Sequence, residues 1–194
     1  MATQILIGRR PALLAAVACL SVMLCGAALK PSGQAGAQKA ESSAVSIFIV
    51  RHAEKGTDDP RNPSLSAAGA VRAQEVARMF AAARVTHLFA TGYKRTQETL
   101  APLAEALGIE VATYEPGKLV GDLRALAPGS VAVVAGHSNT SPALYKALGA
   151  GPGRALIPKG EFDRLYSVTL VPGTDGELEF VAGVELRYGA HSGE

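Results

Sequence analysis

Short apolar runs, rich in β-branched residues, recur along the chain and predict the strands of a buried sheet. Residues 44–50 (AVSIFIV) and 131–135 (VAVVA) are almost entirely apolar, which is typical of strands that are covered on both faces. Two weaker strand candidates are residues 86–90 and 109–114. The sequence therefore predicts four strands of a central sheet before residue 136.

Segments with helical spacing lie between these runs. Ser66 is a typical N-cap residue, and apolar side chains follow it at the spacing of one helix face as far as Ala83. Residues 96–107 also have helical character, although Pro102 predicts a kink or a late start. A further helix is expected over residues 141–149.

The order of these elements predicts the fold class. Strands and helices alternate as far as residue 149, and residues 165–171 and 177–184 then flank the turn sequence PGTDG as a β-hairpin. Such alternation favours an α/β fold, a three-layer sandwich with a mostly parallel central sheet. In sheets of this kind the ligand site forms at the carboxyl ends of the strands.

The first 37 residues have the parts of a secretory signal peptide. Arg9 and Arg10 precede an uncharged run over residues 11–29, and an Ala-x-Ala sequence ends at Ala37. We therefore expect cleavage near Ala37, a periplasmic or secreted protein, and one domain over residues 38–194. The alternative is a retained membrane anchor, because the apolar run approaches the length that spans a bilayer.

Composition narrows the classes of function. The formal net charge of the whole chain is +2, which gives no reason to expect nucleic acid as a partner. Both cysteines, Cys19 and Cys25, lie in the expected signal peptide. The remaining domain would then have no thiol for a nucleophile or for a thiolate metal site, and we expect no stable membrane insertion after cleavage.

Histidine and arginine side chains follow three of the predicted strands. Arg51 and His52 come directly after the first strand, Arg95 lies beyond the second, and His137 follows residues 131–135. Because parallel strands end at the same edge of a sheet, two imidazoles and two guanidiniums are expected to meet there. Arginine binds phosphate oxygens bidentately and neutral imidazole is a nucleophile, so this set predicts phosphoryl transfer.

Four segments, three of which carry these side chains, follow one another in a specific order. They are Arg51-His52-Ala53-Glu54-Lys55, Leu65-Ser66-Ala67-Ala68-Gly69 with Arg72-Ala73, Tyr93-Lys94-Arg95-Thr96-Gln97-Glu98-Thr99, and Gly136-His137-Ser138-Asn139-Thr140. In this order they resemble the motifs of the histidine phosphatase superfamily, the phosphoglycerate mutase-like group. The small size is similar to the compact phosphohistidine phosphatase branch and its exported relatives, whereas a glycolytic mutase is disfavoured by both size and export.

The resemblance implies a role for each residue of the site. His52 would be the phosphorylated nucleophile, Arg51 and Arg95 would bind the phosphoryl oxygens, and His137 would hydrogen-bond the phosphoryl group. The family needs no metal or other cofactor, and its substrates are phosphorylated small molecules or phosphoproteins. Further contacts to the phosphate are expected from Lys55, Ser138 and Asn139.

The general acid is less well defined than the nucleophile. The chain lacks the long insert between Arg95 and His137 that often carries this acid in large members of the family. Glu54 is the first candidate because it lies two residues beyond the nucleophile, and Glu161 and Asp163 are weaker candidates. The sequence does not define the physiological substrate or the oligomeric state.

Two other functions compete with a phosphatase. Ser138 lies on a strand-to-helix turn like a nucleophile elbow, so a serine hydrolase is one alternative, but Thr140 replaces the last Gly of G-x-S-x-G and only His191 lies downstream. A protein that binds a phosphorylated ligand without turnover is the other alternative, and the presence of all four site residues argues against it. A metal site at His52 and Glu54 lacks a third ligand.

Overall fold

The computed structural model describes residues 43–151 and 153–192. The expected signal peptide and its cleavage site at Ala37 lie outside the described residues. Within the described ranges, no helix has the length and apolar character needed to cross a membrane.

The elements follow one another in nearly the predicted order. The strands are β1 (Val45–Arg51), β2 (His87–Ala90), β3 (Val111–Thr113), β4 (Val131–Gly136), β5 (Arg164–Pro172) and β6 (Leu178–Arg187). The helices are α1 (Ala67–Phe80), α2 (Lys94–Leu107), α3 (Leu119–Arg124) and α4 (Thr140–Ala147). Every predicted strand and helix is present, and α3 is an element that the sequence pattern did not predict.

The strands form one six-stranded sheet in the order β3-β2-β4-β1-β5-β6. The four strands from β3 to β1 are parallel, whereas β5 pairs antiparallel with β1 and β6 pairs antiparallel with β5. The predicted α/β sandwich with a mostly parallel sheet is therefore confirmed. The two longest apolar runs, β1 and β4, lie side by side at its centre, so the residues that follow them emerge next to each other.

Alternating side chains of the central strands divide the core into two layers. Ile47, Ile49 and Val134 pack on the face that α3 and α4 cover. Val50 and Val133 pack on the opposite face, which α1 and α2 cover. Because both faces are covered, the strand sequences are continuous apolar runs rather than alternating ones.

Local signals set the ends of the helices. The side chain of Ser66 accepts a hydrogen bond of 3.1 Å from the backbone N–H of Gly69, which confirms Ser66 as the N-cap of α1. Gly108 ends α2 with a φ of 65°, a left-handed conformation that glycine adopts without strain. Helix α2 begins at Lys94, so Pro102 lies within it and does not delay its start.

Candidate active site

A cavity of about 370 Å³ opens at the carboxyl edge of the parallel strands. Its lining comes from the residues that follow β1, β2 and β4, namely His52, Tyr93, Arg95, His137, Ser138, Asn139 and Thr140. The rings of His52 and His137 are 5.4 Å apart between centroids. The structure thus brings five of the sequence-predicted site residues to one cavity.

His52 is buried, and the protein fixes which of its ring nitrogens is free. Its backbone N–H donates to the carbonyl of Gly136 at 2.8 Å, which ties the end of β1 to the end of β4. Its Nδ1 lies 2.7 Å from the carbonyl oxygen of Ala53. Because a carbonyl oxygen can only accept, Nδ1 carries the hydrogen and Nε2 keeps its lone pair.

Both imidazoles are neutral near neutral pH. Burial lowers the pKa of His52 from 6.5 to about 3; the hydrogen bond to Ala53 opposes this shift, and the charges of Arg51 and Arg95 add to it. Burial, followed by the charges of Arg95 and Arg51, lowers the pKa of His137 to about 4. Neutral imidazole is the nucleophilic form, so the site keeps His52 ready to attack.

A chain of hydroxyl groups orients His137. Its Nε2 lies 3.0 Å from Oγ1 of Thr91, which in turn lies 2.8 Å from Oγ1 of Thr96. The Thr96 hydroxyl lies 2.7 Å from the carbonyl oxygen of Tyr93, to which it can only donate. Thr96 therefore accepts from Thr91, and His137 donates its Nε2 hydrogen to Thr91.

Arg95 supplies the positive charge of the cavity wall. Its guanidinium carbon lies 4.3 Å from the ring centre of Tyr93, a distance typical of a cation–π contact. Its Nε is buried and has no hydrogen-bond partner within the described residues. A buried donor without an acceptor is costly, and an oxyanion in the cavity is the kind of group that would satisfy it.

Arg51 lies beside the cavity and does not line it. Its Nη1 donates to the carbonyl oxygens of Pro158, Lys159 and Glu161 at 2.9, 3.1 and 2.7 Å. Its guanidinium carbon also lies 4.1 Å from the ring centre of Phe162, whose ring neighbours His52. Arg51 thus fixes the segment that covers His52, and its charge lowers the pKa of that imidazole.

The carboxylate of Glu54 does not line the cavity. It forms a bidentate ion pair with Arg72 of α1, with Oε1 2.7 Å from Nη2 and Oε2 2.9 Å from Nε. Arg72 also donates to the carbonyls of Tyr188 and Ala190. This pairing joins β1, α1 and the end of the chain, and it argues against Glu54 as the acid. Glu54 was the first candidate because it lies two residues beyond His52, but that spacing does not determine where its side chain points.

The weaker acid candidates are also held in ion pairs away from the cavity. Glu161 binds Arg164 at 2.6 Å and Arg187 at 3.1 Å, and Asp163 binds Arg187 at 2.7 Å. Lys55 is exposed and does not line the cavity. Across residues 43–151 and 153–192, no group of histidine, cysteine and carboxylate side chains is arranged to hold a metal ion.

Sequence reasoning did not assign a role to Thr91, Tyr93 or Thr140. Thr91 is the first residue after β2, just as His52 is the first after β1 and His137 the first after β4. This shared position was a signal that could have identified it. Tyr93 and Thr140 stand inside two of the quoted motifs, but only the structure shows that they line the cavity.

Comparison with known proteins gives a family match over part of the chain. Residues 47–116 match the family model described as histidine phosphatase superfamily (branch 1). This stretch includes His52 and Arg95 and ends before His137. The comparison with curated proteins gives no match.

Solved structures share the fold at low sequence identity. The SixA protein of Nakamurella multipartitia aligns with a TM-score of 0.51 and 16% identity, covering 74% of this chain and 97% of its own. The protein histidine phosphatase SixA complexed with tungstate aligns with a TM-score of 0.54 and 15% identity, covering 72% of this chain and 96% of its own. The native mycobacterial glucosyl-3-phosphoglycerate phosphatase aligns with a TM-score of 0.50 and 13% identity, covering 71% of this chain and 96% of its own.

The family model matches just over a third of the chain, and the solved structures share its α/β sandwich. The resemblance to the histidine phosphatase superfamily, which rested on four short motifs, is confirmed by the family model over residues 47–116.

Proposed function

We propose that this protein hydrolyses phosphate monoesters or a phosphoamide through a phosphohistidine on His52, without a metal ion. One observation carries the proposal. A buried, neutral imidazole with an unprotonated Nε2 lines the same cavity as a guanidinium and a second imidazole. These are the groups that nucleophilic attack on a phosphate dianion requires.

The first step is the transfer of the phosphoryl group to the protein. The lone pair of Nε2 on His52 attacks phosphorus, and the bond from phosphorus to the leaving group breaks. Arg95 binds the phosphoryl oxygens, and His137, which takes up a proton as the dianion binds, donates a hydrogen bond to them. Arg51 adds positive charge from beside the cavity.

Water completes the cycle. It attacks phosphorus opposite Nε2, the phosphorus–nitrogen bond breaks, and inorganic phosphate leaves with His52 neutral again. Among residues 43–151 and 153–192 no carboxylate lines the cavity, so the leaving group takes its proton from water. Substrates whose leaving groups are stable as anions should therefore react fastest.

The substrate is a phosphorylated small molecule or a phosphoprotein. The solved structures of similar fold include one named as a protein histidine phosphatase and one named as a glucosyl-3-phosphoglycerate phosphatase. Both names describe phosphatases, and they support a phosphorylated substrate for this chain.

A serine hydrolase is less consistent with the geometry. Ser138 lines the cavity, but His191, the downstream histidine that it would need, lies 3.3 Å from Asp163 and does not line the cavity. His137 is adjacent to Ser138 in sequence, but its Nε2 already donates a hydrogen bond to Thr91 and is not free to act as the base for Ser138.

Phosphate release from p-nitrophenyl phosphate tests the proposal. We expect release that continues in excess EDTA, is abolished in His52→Ala, and persists in Ser138→Ala. Loss of release in EDTA would contradict the metal-free mechanism. Release that survives in His52→Ala but not in Ser138→Ala would reject the nucleophile.

A further inference from the structure

A second, apolar cleft lies next to the phosphate cavity, between α3 and α4. It encloses about 170 Å³, and most of its surface is apolar. The apolar side chains that line it are Pro116, Leu119, Val120, Ala143, Leu144 and Ala147. Leu119 and Leu144 belong to the core layer beneath, so the cleft is an opening of that core to the surface.

The cleft and the phosphate cavity share one side chain. Thr140 lines both, and its hydroxyl accepts a hydrogen bond of 2.8 Å from the backbone N–H of His137. The hydroxyl of Tyr114, which is also in the lining, lies 3.5 Å from the carbonyl oxygen of Ala135. Tyr114 directly follows β3, so the cleft opens at the same edge of the sheet as the phosphate cavity. The cleft therefore adjoins the phosphate cavity at Thr140.

The chemistry of the lining defines what the cleft would hold. Within the part of the chain that the structure describes, no charged side chain lines the cleft. Ala143 and Ala147, one helical turn apart on α4, leave space where larger residues would fill it. An apolar cavity of about 150 Å³ is large enough to bind benzene. The cleft therefore suits an uncharged apolar group of about that size, and it offers nothing to pair with a second phosphate or a carboxylate.

We propose that this cleft is the leaving-group subsite, and that the preferred substrates are phosphate esters whose leaving group is apolar and about as large as a phenyl ring. The inference rests on the proposed function, because it assumes that the phosphoryl group lies between His52 and Arg95. It adds the substrate class, which distinguishes apolar esters from sugar phosphates and nucleotides.

Binding of two phosphonates tests the subsite without requiring turnover. Benzylphosphonate and methylphosphonate share the phosphate-like head and differ by a phenyl ring, and neither carries a bond that the reaction can break. By calorimetry we expect benzylphosphonate to bind about tenfold more tightly or better, as burial of an aromatic ring predicts. Equal affinity of the two compounds would overturn the proposal.

Variants of α4 then locate the preference. Ala143→Leu fills the cleft from an exposed helix position. We expect it to reduce the ratio of benzylphosphonate affinity to methylphosphonate affinity to near unity, while methylphosphonate binding is unchanged. Ala147→Leu is the second variant, should Ala143→Leu fail to fold. The matched control is Ala101→Leu, at an exposed position of α2 outside the cleft, which should retain the full preference. A preference that survives in the α4 variants would contradict the proposal.

The two proposals can fail separately. Hydrolysis of phosphate esters with no phenyl preference would leave the phosphatase standing and reject the subsite. A strong phenyl preference in a protein that releases no phosphate from any ester would reject the phosphatase and leave the cleft as an apolar binding site only.

Discussion

The protonation state of each imidazole follows from the atoms next to it. A carbonyl oxygen at Nδ1 of His52 leaves Nε2 free to attack, whereas a hydroxyl chain ending on a carbonyl makes Nε2 of His137 a donor. The two histidines are therefore not equivalent, although both follow central strands. His52, whose Nε2 is unprotonated, is the candidate nucleophile.

Thr91 should act by orienting His137. Thr91→Val keeps the shape but removes the acceptor for Nε2–H, so we expect kcat to fall by about tenfold, the value of one hydrogen bond. Thr91→Ser, which retains the hydroxyl, should keep most of the activity. Steady-state kinetics of both variants check this, and full turnover in Thr91→Val would remove Thr91 from the mechanism.

Glu54 should matter for stability rather than for proton transfer. Glu54→Gln leaves the buried Arg72 without a counter-charge, so we expect a loss of about 1–3 kcal/mol in the free energy of unfolding. The ratio of turnover on p-nitrophenyl phosphate to turnover on phenyl phosphate should stay constant. Glu75→Gln, in a surface pair with Arg78, is the control and should change stability little. A selective loss of activity on phenyl phosphate would restore Glu54 as the acid.

At the level of elements, the turn from β4 into α4 holds the site together. Ser141 Oγ donates to the carbonyl of Val50 at 3.1 Å, and Thr140 Oγ1 accepts from the backbone N–H of His137 at 2.8 Å. Gly136 lies beneath both hydroxyl groups. A Cβ at this position would lie 2.8 Å from Ser141 Oγ and 3.0 Å from Thr140 Oγ1, closer than carbon and oxygen normally approach.

Gly136→Ala should therefore displace this turn. We expect a loss of about 1–3 kcal/mol in unfolding free energy, as for overpacked cores, and a fall in kcat/KM larger than in any surface variant. Gly121→Ala in α3 is the control, because a Cβ there meets nothing within 4 Å. Denaturant titration measures the unfolding free energy of the two variants, and steady-state kinetics measure their kcat/KM. Normal activity in Gly136→Ala would show that the turn can adjust.

The sequence predicted those parts of the fold and the site that depend on local signals. The strands β1 and β4 are long apolar runs, and Ser66 caps α1 by a hydrogen bond to Gly69, three residues further along the chain. Both features depend on neighbouring residues, so the sequence predicted them. The helix α3 was missed because it has six residues and contains Gly121. The ion pair of Glu54 with Arg72 depends on how α1 packs against the end of β1, and no local pattern encodes that contact.

At the scale of the whole molecule, the buried histidines link stability to pH. The pKa values of His52 and His137 are about 3 and about 4, both below the ordinary value of 6.5, so the unfolded chain binds protons more readily. Their contribution to stability is complete above about pH 6.5 and is lost as the pH falls toward the folded pKa values.

We expect the unfolding free energy to fall between about pH 7 and about pH 4, and to fall less in a His52→Asn, His137→Gln double variant that removes both titrations. The carboxylates that titrate at low pH are common to both proteins, so the comparison isolates the histidines. Denaturant titrations at several pH values measure the slopes. Identical slopes in the two proteins would contradict the assignment of both imidazoles as buried and neutral.

The central claim is that His52 carries the phosphoryl group during turnover, and trapping the phosphoenzyme tests it most directly. The protein would be mixed with a radiolabelled aryl phosphate, quenched within the first turnover, and divided between acid and alkali before peptide mapping. We expect label on the peptide containing His52 that survives alkali and is lost in acid, because a phosphoramidate hydrolyses in acid. Acid-stable label on the peptide containing Ser138, or label that persists in His52→Ala, would contradict it.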